Sequence, residues 1–221
     1  AEVLANTIRG NKATLSNTAS GWGGGLDLEY CLEVDMADNR VENNVTHSNL
    51  SYAGYGGGVY VFDSDAHLTR NIIIGNTTYY GGGIFIRSEQ PVMVSNNLIA
   101  NNTDGGIYVV EYYAPAVSRA ILVNNTVADN GNNGAVAQFS AEATLTNNLI
   151  AGHAIGLDAP SPFTGTITAD TNLFWNTSDT IIGSNAIQQD PLLTSEYHLS
   201  PDSPAVDAGL TIPWLVEDLE G

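Results

Sequence analysis

The chain has little positive charge, a single cysteine and no long apolar run. Its 221 residues include six lysines and arginines against 24 aspartates and glutamates, which gives a formal net charge of −18. Nucleic acids are bound by basic surfaces, so this balance excludes a nucleic-acid partner. Cys31 has no second cysteine with which to form an internal disulfide. No apolar run approaches the roughly 20 residues of a transmembrane helix, so no membrane span is predicted.

Helical periodicity is also missing, whereas a glycine-led phrase recurs five times. Each copy places one or more glycines before apolar residues that alternate with other residues. The last glycines of successive copies, from Gly25 to Gly134, lie 33, 25, 23 and 28 residues apart. A repeat of this length is one supersecondary unit that must stack on its neighbours to bury its apolar side. The pattern predicts an all-β solenoid of short stacked strands.

Asparagines repeat with the same period, out of phase with the glycines. Six of them precede short apolar runs at intervals of 27, 26, 28, 23 and 24 residues: Asn44, Asn71, Asn97, Asn125, Asn148 and Asn172. Stacked asparagine side chains can hydrogen-bond to one another at a sharp corner of the chain. We therefore expect a structural asparagine ladder. The matching interior column of apolar side chains is expected to contain Leu26, Val59, Ile84 and Ile107.

The repeats organise the chain as a single domain, residues 1–221. Residues 1–184 are expected to form about seven to eight rungs. Residues 185–221 lose the repeat and bring four prolines and Trp214. We expect this segment to form a non-repetitive C-terminal cap over the last rung, because an open sheet edge pairs with other strands. An incomplete cap would permit end-to-end or lateral self-association.

Two sets of phrases resemble those of a known family. Asn6–Asn11 and Gly21–Leu26 resemble the repeats of bacterial right-handed parallel β-helix proteins, the pectate-lyase-like superfamily. Asp190–Leu193, Tyr197–Pro201 and Asp202–Gly209 resemble the closing segment of secreted, surface-anchored β-helix repeat proteins. The resemblance implies a right-handed parallel β-helix. It leaves the activity open, because the superfamily includes lyases, hydrolases, esterases, epimerases and non-catalytic surface proteins.

Composition is typical of an exported protein. Lysine is restricted to Lys12, while asparagine, threonine, serine and glycine are abundant, as on bacterial outer surfaces. The sequence shows no signal peptide and begins almost inside a repeat, so we interpret it as a mature, trimmed or excised chain. Its expected location is extracellular or on a bacterial cell surface.

Alignment of the strands places aromatic residues on one outward face. The position between the two core residues of each strand is Asp27, Tyr60, Phe85 and Tyr108 in successive rungs. Further rings on or beside the same strands are Phe62, Tyr79, Tyr80 and Tyr112. Exposed aromatic faces stack on sugar rings, which predicts polysaccharide or cell-surface glycan binding here. The alternative is an aromatic ladder that stabilises the sheet or lies beneath a long turn.

Charged residues lie within the same surface. Arg87 is aligned near Asp63 and Glu111, and these three are the candidate catalytic residues, with Asp27 and Glu89 assisting. Paired carboxylates could hydrolyse a glycoside. The resemblance implies that an arginine could instead act as the base of a lyase. The alternative is a surface ion pair between Arg87 and Glu111 or Asp63, which contributes little.

The acidic residues also offer oxygen ligands for calcium. Asp27 and Glu29 share one strand, and Asp63 and Asp65 follow the next. Calcium would let an acidic surface hold an anionic polysaccharide, as the resemblance implies for acidic β-helix lyases. None of these residues forms a calcium-loop motif, so a solvated acidic surface is the simpler interpretation and no cofactor is required.

The amino-acid sequence leaves two functions open. The favoured one is an extracellular or cell-surface protein that binds polysaccharide through its aromatic face or serves as a surface structural module. The alternative is a polysaccharide-degrading enzyme, either a calcium-assisted lyase or a glycoside hydrolase, that uses the outward carboxylates and Arg87. No nucleophile motif, phosphate loop or zinc spacing points to another chemistry.

Overall fold

The computed structural model describes residues 1–13, 20–46, 48–49, 52–113, 115–160, 165–178, 181–215 and 217–219. These residues form a coil of 22 short β-strands. No part of the described chain forms a helix of the length and apolarity that crossing a membrane requires. Three parallel sheets run along the coil, and each full rung contributes one strand to each sheet.

Two of the sheets have seven strands and the third has six. Sheet A contains β1 (Glu2–Leu4), β4 (Val34–Ala37), β9 (Ala66–Thr69), β12 (Val92–Ser95), β15 (Ser118–Val123), β18 (Ala141–Thr146) and β21 (Thr166–Asp170). Sheet B contains β2 (Thr7–Arg9), β5 (Arg40–Glu42), β10 (Ile72–Ile74), β13 (Leu98–Ala100), β16 (Thr126–Ala128), β19 (Leu149–Ala151) and β22 (Leu173–Trp175). Sheet C contains β3 (Leu26–Glu29), β8 (Val59–Phe62), β11 (Ile84–Arg87), β14 (Gly105–Glu111), β17 (Asn133–Phe139) and β20 (Ile155–Asp158). A separate antiparallel pair joins β6 (Ser48–Asn49) to β7 (Tyr52–Ala53).

Neighbouring rungs pair in register, so equivalent residues of successive repeats lie side by side. Ile73 in sheet B, for example, lies opposite Val41 on one side and Ile99 on the other. The prediction of an all-β parallel solenoid is therefore confirmed. Seven strands in sheets A and B correspond to seven rungs, the lower end of the expected range.

The apolar side chains of the three sheets meet inside the coil. Val59, Ile84 and Ile107 are fully buried in one continuous core, and Leu26 packs against it from the first rung. The predicted interior column is thus confirmed. Each such side chain contributes roughly 1.5–3 kcal/mol when it leaves water, and the stacking of rungs is what removes it from water.

Glycines precede the strands of sheet C because the rungs approach one another closely there. A Cβ atom at Gly58 would lie 2.6 Å from the carbonyl oxygen of Gly83 in the next rung and 2.8 Å from Cγ2 of Ile73. Any larger residue would therefore separate the rungs or displace the core. This close contact between rungs explains why the glycine phrase is repeated along the sequence.

Asparagines, exposed in the first rung and buried in the later ones, form two ladders at two different corners of the coil. The ladder between sheets A and B runs through Asn6, Asn39, Asn71, Asn97, Asn125, Asn148 and Asn172. The ladder after sheet B runs through Asn11, Asn44, Asn76, Asn102 and Asn130, and His153 takes the next place. At each asparagine step an Nδ2 amide donates to the Oδ1 of the next rung at 2.9–3.1 Å.

The expected ladder is confirmed, but its membership is corrected at one position. Sequence spacing groups Asn44 with Asn71, whereas Asn44 bonds to Asn76 and the partner of Asn71 in the preceding rung is Asn39. Two corners in each rung repeat with the same period. Spacing along the sequence therefore cannot tell them apart.

The C-terminal residues first pair with the last rung and then return along the outside of the coil. Ser184 bridges to the end of β21 and Ile187 bridges to β22. Further on, Glu217 reaches the third rung, where its Oε2 lies 3.1 Å from Nη1 of Arg70. The start of the segment 185–221 therefore lies over the last rung as expected, and its later part follows the side of the coil. The division of the chain at residue 184 stays a prediction.

Candidate functional site

The outward row of sheet C has the register that the sequence predicts. Tyr60 lies opposite Asp27 on one side and Phe85 on the other, and Phe85 lies opposite Tyr108. The rings of Tyr60 and Phe85 stack with their centroids 5.6 Å apart and an angle of 19° between their planes. Cross-strand aromatic pairs of this kind stabilise a sheet.

These three rings are buried, which corrects the expectation of an exposed stripe. Tyr60, Phe85 and Tyr108 are 5%, 2% and 5% exposed. Tyr55 packs edge-on against Phe85 with their centroids 5.0 Å apart, and Tyr80 lies 6.4 Å from Tyr108. A sugar cannot stack on rings that are already covered. The three residues therefore form the interior of an aromatic cluster, in line with the alternative in which the rings lie beneath a turn.

The covering rings of Tyr55 and Tyr80 belong to residues that precede glycine phrases. Trp22, Tyr55 and Tyr80 are paired by parallel bridges in successive rungs. Tyr55 and Tyr80 stack at 5.6 Å, and Tyr79 meets the edge of Tyr80 at 4.6 Å. Each of the three paired residues stands directly before a glycine triplet, and this signal could have identified Trp22, which the sequence analysis missed.

Exposed rings border the cluster. We call Trp22, Tyr30, Tyr112 and Tyr113 the aromatic rim, because each keeps more than a third of its surface in solvent. Tyr30, also missed from the sequence, meets the half-buried ring of Phe62 edge-on at 5.1 Å. Phe62 belongs to the margin of the buried cluster. Tyr30 thus continues the aromatic packing to the surface, whereas Trp22 is placed beside the cluster by its backbone bridge to Tyr55.

Arg87 connects one side of the rim to the cluster. Its guanidinium carbon lies 5.0 Å from the ring centres of Phe62 and Tyr113 and 5.7 Å from that of Tyr112. These distances are those of cation–π contacts. Its Nε also lies 3.4 Å from Oε1 of Glu111. Arg87 therefore organises the exposed tyrosines instead of extending into solvent.

Glu111 is held by several donors, and this arrangement does not favour its candidate catalytic role. It is 3% exposed. Its Oε1 accepts the N–H of Tyr113 at 3.0 Å, and its Oε2 accepts the Oγ–H of Ser118 at 3.3 Å. A carboxylate that is buried and occupied in this way cannot reach a polymer at the surface. The interpretation as an ion pair with Arg87 is the one that the geometry favours.

Asp63, the third candidate catalytic residue, lies apart from the Arg87–Glu111 pair. Its backbone N–H donates to the carbonyl oxygen of Arg87 at 3.0 Å. Its exposed side chain lines a recess of about 220 Å³ with Glu89 and Gln90. In this recess, just beyond the ends of β8 and β11, the exposed carboxylates of Asp63 and Glu89 share a concave surface.

Comparison with known proteins agrees with this geometry. A family model described as a right-handed β-helix region matches residues 6–187. The chain belongs to the right-handed β-helix family. No curated protein matches the sequence. The match agrees with the coil of parallel sheets described above.

The acidic residues proposed for calcium do not gather into one site of the β-helix. Within the described ranges, no three histidine, cysteine, aspartate or glutamate side chains are placed to hold a metal ion. Asp27 and Glu29 lie on β3, whereas Asp63 and Asp65 follow β8. Calcium binding by these residues stays a prediction.

Burial changes the acidity of three carboxyl groups around the aromatic cluster. Partial burial, followed by the nearby charge of Glu29, raises the pKa of Asp27 to about 6. Burial also raises the pKa of Asp158. It raises the pKa of Asp104 as well, and hydrogen bonds to Asp104, one of them from Tyr108, offset only part of that rise. The Oδ2 atom of Asp104 has no hydrogen-bond partner among the described residues. Sequence analysis missed Asp104, although it stands directly before the glycine pair Gly105 and Gly106.

Proposed function

We propose that this β-helix binds polysaccharide through the aromatic rim on the outer face of sheet C. The observation that carries the proposal is a set of four exposed rings around one packed aromatic cluster. The apolar faces of sugar rings stack on aromatic side chains. Contiguous exposed apolar surface on a protein marks a binding site more often than a scattered single residue does.

The buried rings support this function indirectly. Tyr60, Phe85 and Tyr108 hold the half-buried Tyr55 and Tyr80 in fixed positions. A rigid platform loses little conformational entropy when a ligand binds, which favours affinity. The solenoid also repeats the ring positions from rung to rung, which suits a ligand that is itself a repeating chain.

Binding is proposed ahead of catalysis because two candidate catalytic residues are occupied by each other. Arg87 and Glu111 form an ion pair in which the carboxylate is buried. The second candidate function is a polysaccharide-degrading enzyme, a calcium-assisted lyase or a glycoside hydrolase. It is favoured by the recess in which exposed Asp63 and Glu89 lie together. Unsaturated products or new reducing ends, measured with and without calcium, would support it.

We also propose an extracellular or cell-surface location, in which the coil serves as a surface module. The acidic, lysine-poor composition supports this location. Labelling of intact cells with an antibody against the chain tests it. Labelling that requires permeabilised cells would contradict it.

Affinity electrophoresis in gels that contain a polysaccharide tests the binding proposal. Trp22→Ala should weaken retention by about fivefold to tenfold, the loss expected from one stacked ring. Trp175→Ala is the matched control, because Trp175 is 42% exposed against 47% for Trp22 but lies on sheet B. Equal effects of the two substitutions, or no retention of the unmodified protein by any polymer, would overturn the proposal.

A further inference from the structure

The strands of sheet C carry a single basic residue among several carboxylates. Arg87 is the one lysine or arginine within them. In the outward row, Asp27 stands at one end, and Asp158 lies opposite Val136 at the other end. Glu29 is two residues from Asp27 on β3, and both side chains reach solvent, although Asp27 is partly buried. Negative charge therefore borders the aromatic cluster at both ends of the row.

Arg87 does not offset this charge for a ligand. Its Nε lies 3.4 Å from Oε1 of Glu111, so the two side chains form a neutral pair. Its guanidinium is also covered by the rings of Phe62 and Tyr113, each 5.0 Å away. The potential at the outer face is consequently set by the remaining carboxylates of a chain with a net charge of −18.

From this arrangement we infer that the polysaccharide bound at the aromatic rim is uncharged, an inference that rests on the proposed function. Polymers of uronic acids or sulfated sugars carry repeated negative charge and are repelled by this face. Sugar hydroxyls donate hydrogen bonds, and ionised carboxylates only accept them. Asp27 lies opposite Tyr60 and Glu29 lies opposite Phe62, so these carboxylates are matched to the hydroxyl groups of an uncharged polymer.

The acidity of Asp27 agrees with this assignment. Its pKa is raised to about 6 by partial burial and by the charge of Glu29. An anionic ligand would bring a further negative charge to the same place, whereas a donated hydroxyl proton would stabilise the carboxylate. A polymer that carries protonated amines would be attracted as well, but its binding would weaken steeply with salt, which distinguishes it from an uncharged polymer.

The experiment compares three classes of polymer by affinity electrophoresis at low salt and at about 0.5 M salt. The uncharged probes are xyloglucan, galactomannan and mixed-linkage β-glucan, the anionic probe is polygalacturonate, and the cationic probe is soluble chitosan. We expect retention by at least one uncharged polymer, with a dissociation constant that changes by less than about twofold between the two salt concentrations. Polygalacturonate should not retain the protein at low salt.

A charge-removal variant tests the cause. The double substitution Asp27→Asn and Glu29→Gln keeps the size of both side chains and removes two charges. It should gain retention by polygalacturonate at low salt, while binding of the uncharged polymer weakens, because a neutral amide accepts a hydroxyl hydrogen bond less strongly than a carboxylate does. The matched control, Glu196→Gln with Asp202→Asn, removes two exposed charges from the C-terminal segment and should gain nothing.

The outcomes separate this inference from the proposed function. Retention of the unmodified protein by polygalacturonate alone, or salt-sensitive retention by chitosan alone, would overturn the uncharged ligand and keep polysaccharide binding. Retention by no polymer would overturn both. An equal gain in the control variant would show that overall charge, and not the charge at the rim, controls the choice of polymer, and would also overturn the inference.

Discussion

Arg87 on β11 and Glu111 at the end of β14 pair between neighbouring rungs, with Nε and Oε1 3.4 Å apart. The same Oε1 accepts the N–H of Tyr113, so the pair fixes the start of the segment that carries Tyr112 and Tyr113. Arg87 then lies against both tyrosine rings. Two residues whose charges suggest catalysis thus hold part of the aromatic rim in place.

Removal of the arginine should destabilise the protein and loosen the rim. Arg87→Met keeps an unbranched apolar side chain at this position but leaves the buried carboxylate of Glu111 without its cation. We expect a loss of about 1–3 kcal/mol in the free energy of unfolding, measured by urea denaturation. Adding Glu111→Gln to this variant should recover part of the loss, because the buried charge is then absent. A variant Arg87→Met as stable as the original would show that the pair is a weak surface contact.

The asparagine ladder should be most sensitive to substitution in the middle of the coil. Asn97 is buried, donates to Leu68, Ser95 and Asn125, and accepts from Asn71. Asn97→Ala leaves several of these groups unpaired, and we expect it to cost about 3 kcal/mol or more in stability.

Asn6→Ala provides the matched control for this prediction. Asn6 makes the same donor contact in the same ladder, but it lies exposed in the first rung, where water can replace its bonds. Its substitution should cost less than about 1 kcal/mol. Equal costs at the two positions in urea denaturation would show that the ladder does not depend on burial.

The coil was predictable because its causes are local and repeated. Gly58 must be small, and Val59 must point inward, for reasons that recur in every rung. Because the same steric requirement recurs in successive rungs, the same residue types recur along the sequence. The register of Tyr60 with Phe85 could therefore be predicted from their spacing. The ladder to which Asn44 belongs could not be predicted in this way, because both asparagine corners repeat with the same spacing along the sequence.

The candidate site was less predictable because it depends on what covers each side chain. Alternation in a strand shows that Tyr108 points outward, but not that Tyr80 folds over it. Likewise, the position of Glu111 after a run of buried residues gives no sign of the donors from Ser118 and Tyr113 that occupy its carboxylate. Both features arise from contacts between segments that no local pattern records.

Stability should depend on pH through Asp27. Its carboxyl has a pKa of about 6 in the folded chain, above the value of 3.8 that applies without its surroundings. Between about pH 4 and pH 6 the folded state keeps this proton while the unfolded state releases it. The contribution of this group to the free energy of unfolding is therefore fully present below about pH 4 and is lost as the pH rises through about 6.

Asp27→Asn tests this dependence, because the amide does not titrate. At pH 7 the variant should be more stable than the original by about 1 kcal/mol, a value discounted for the solvent that screens a partly exposed carboxylate. The two proteins should converge below about pH 4 in urea denaturation. Asp202→Asn controls for the loss of one exposed charge. A constant difference between Asp27→Asn and the original at all pH values would contradict the prediction.

Among the described glycines, an added Cβ atom would meet its tightest contact at Gly82, so this position should tolerate no side chain. A Cβ atom there would lie 1.8 Å from the carbonyl oxygen of Thr103, which belongs to the backbone of the next rung. Because neither backbone can move without breaking the pairing of both rungs, we expect Gly82→Ala to cost more than about 4 kcal/mol or to prevent folding. Gly10→Ala is the control: nothing lies within 4 Å of its added Cβ, and its φ of +65° should cost about 1 kcal/mol. Circular dichroism and thermal unfolding of the two variants decide the matter, and equal melting temperatures would show that contact between rungs does not explain the glycine repeat.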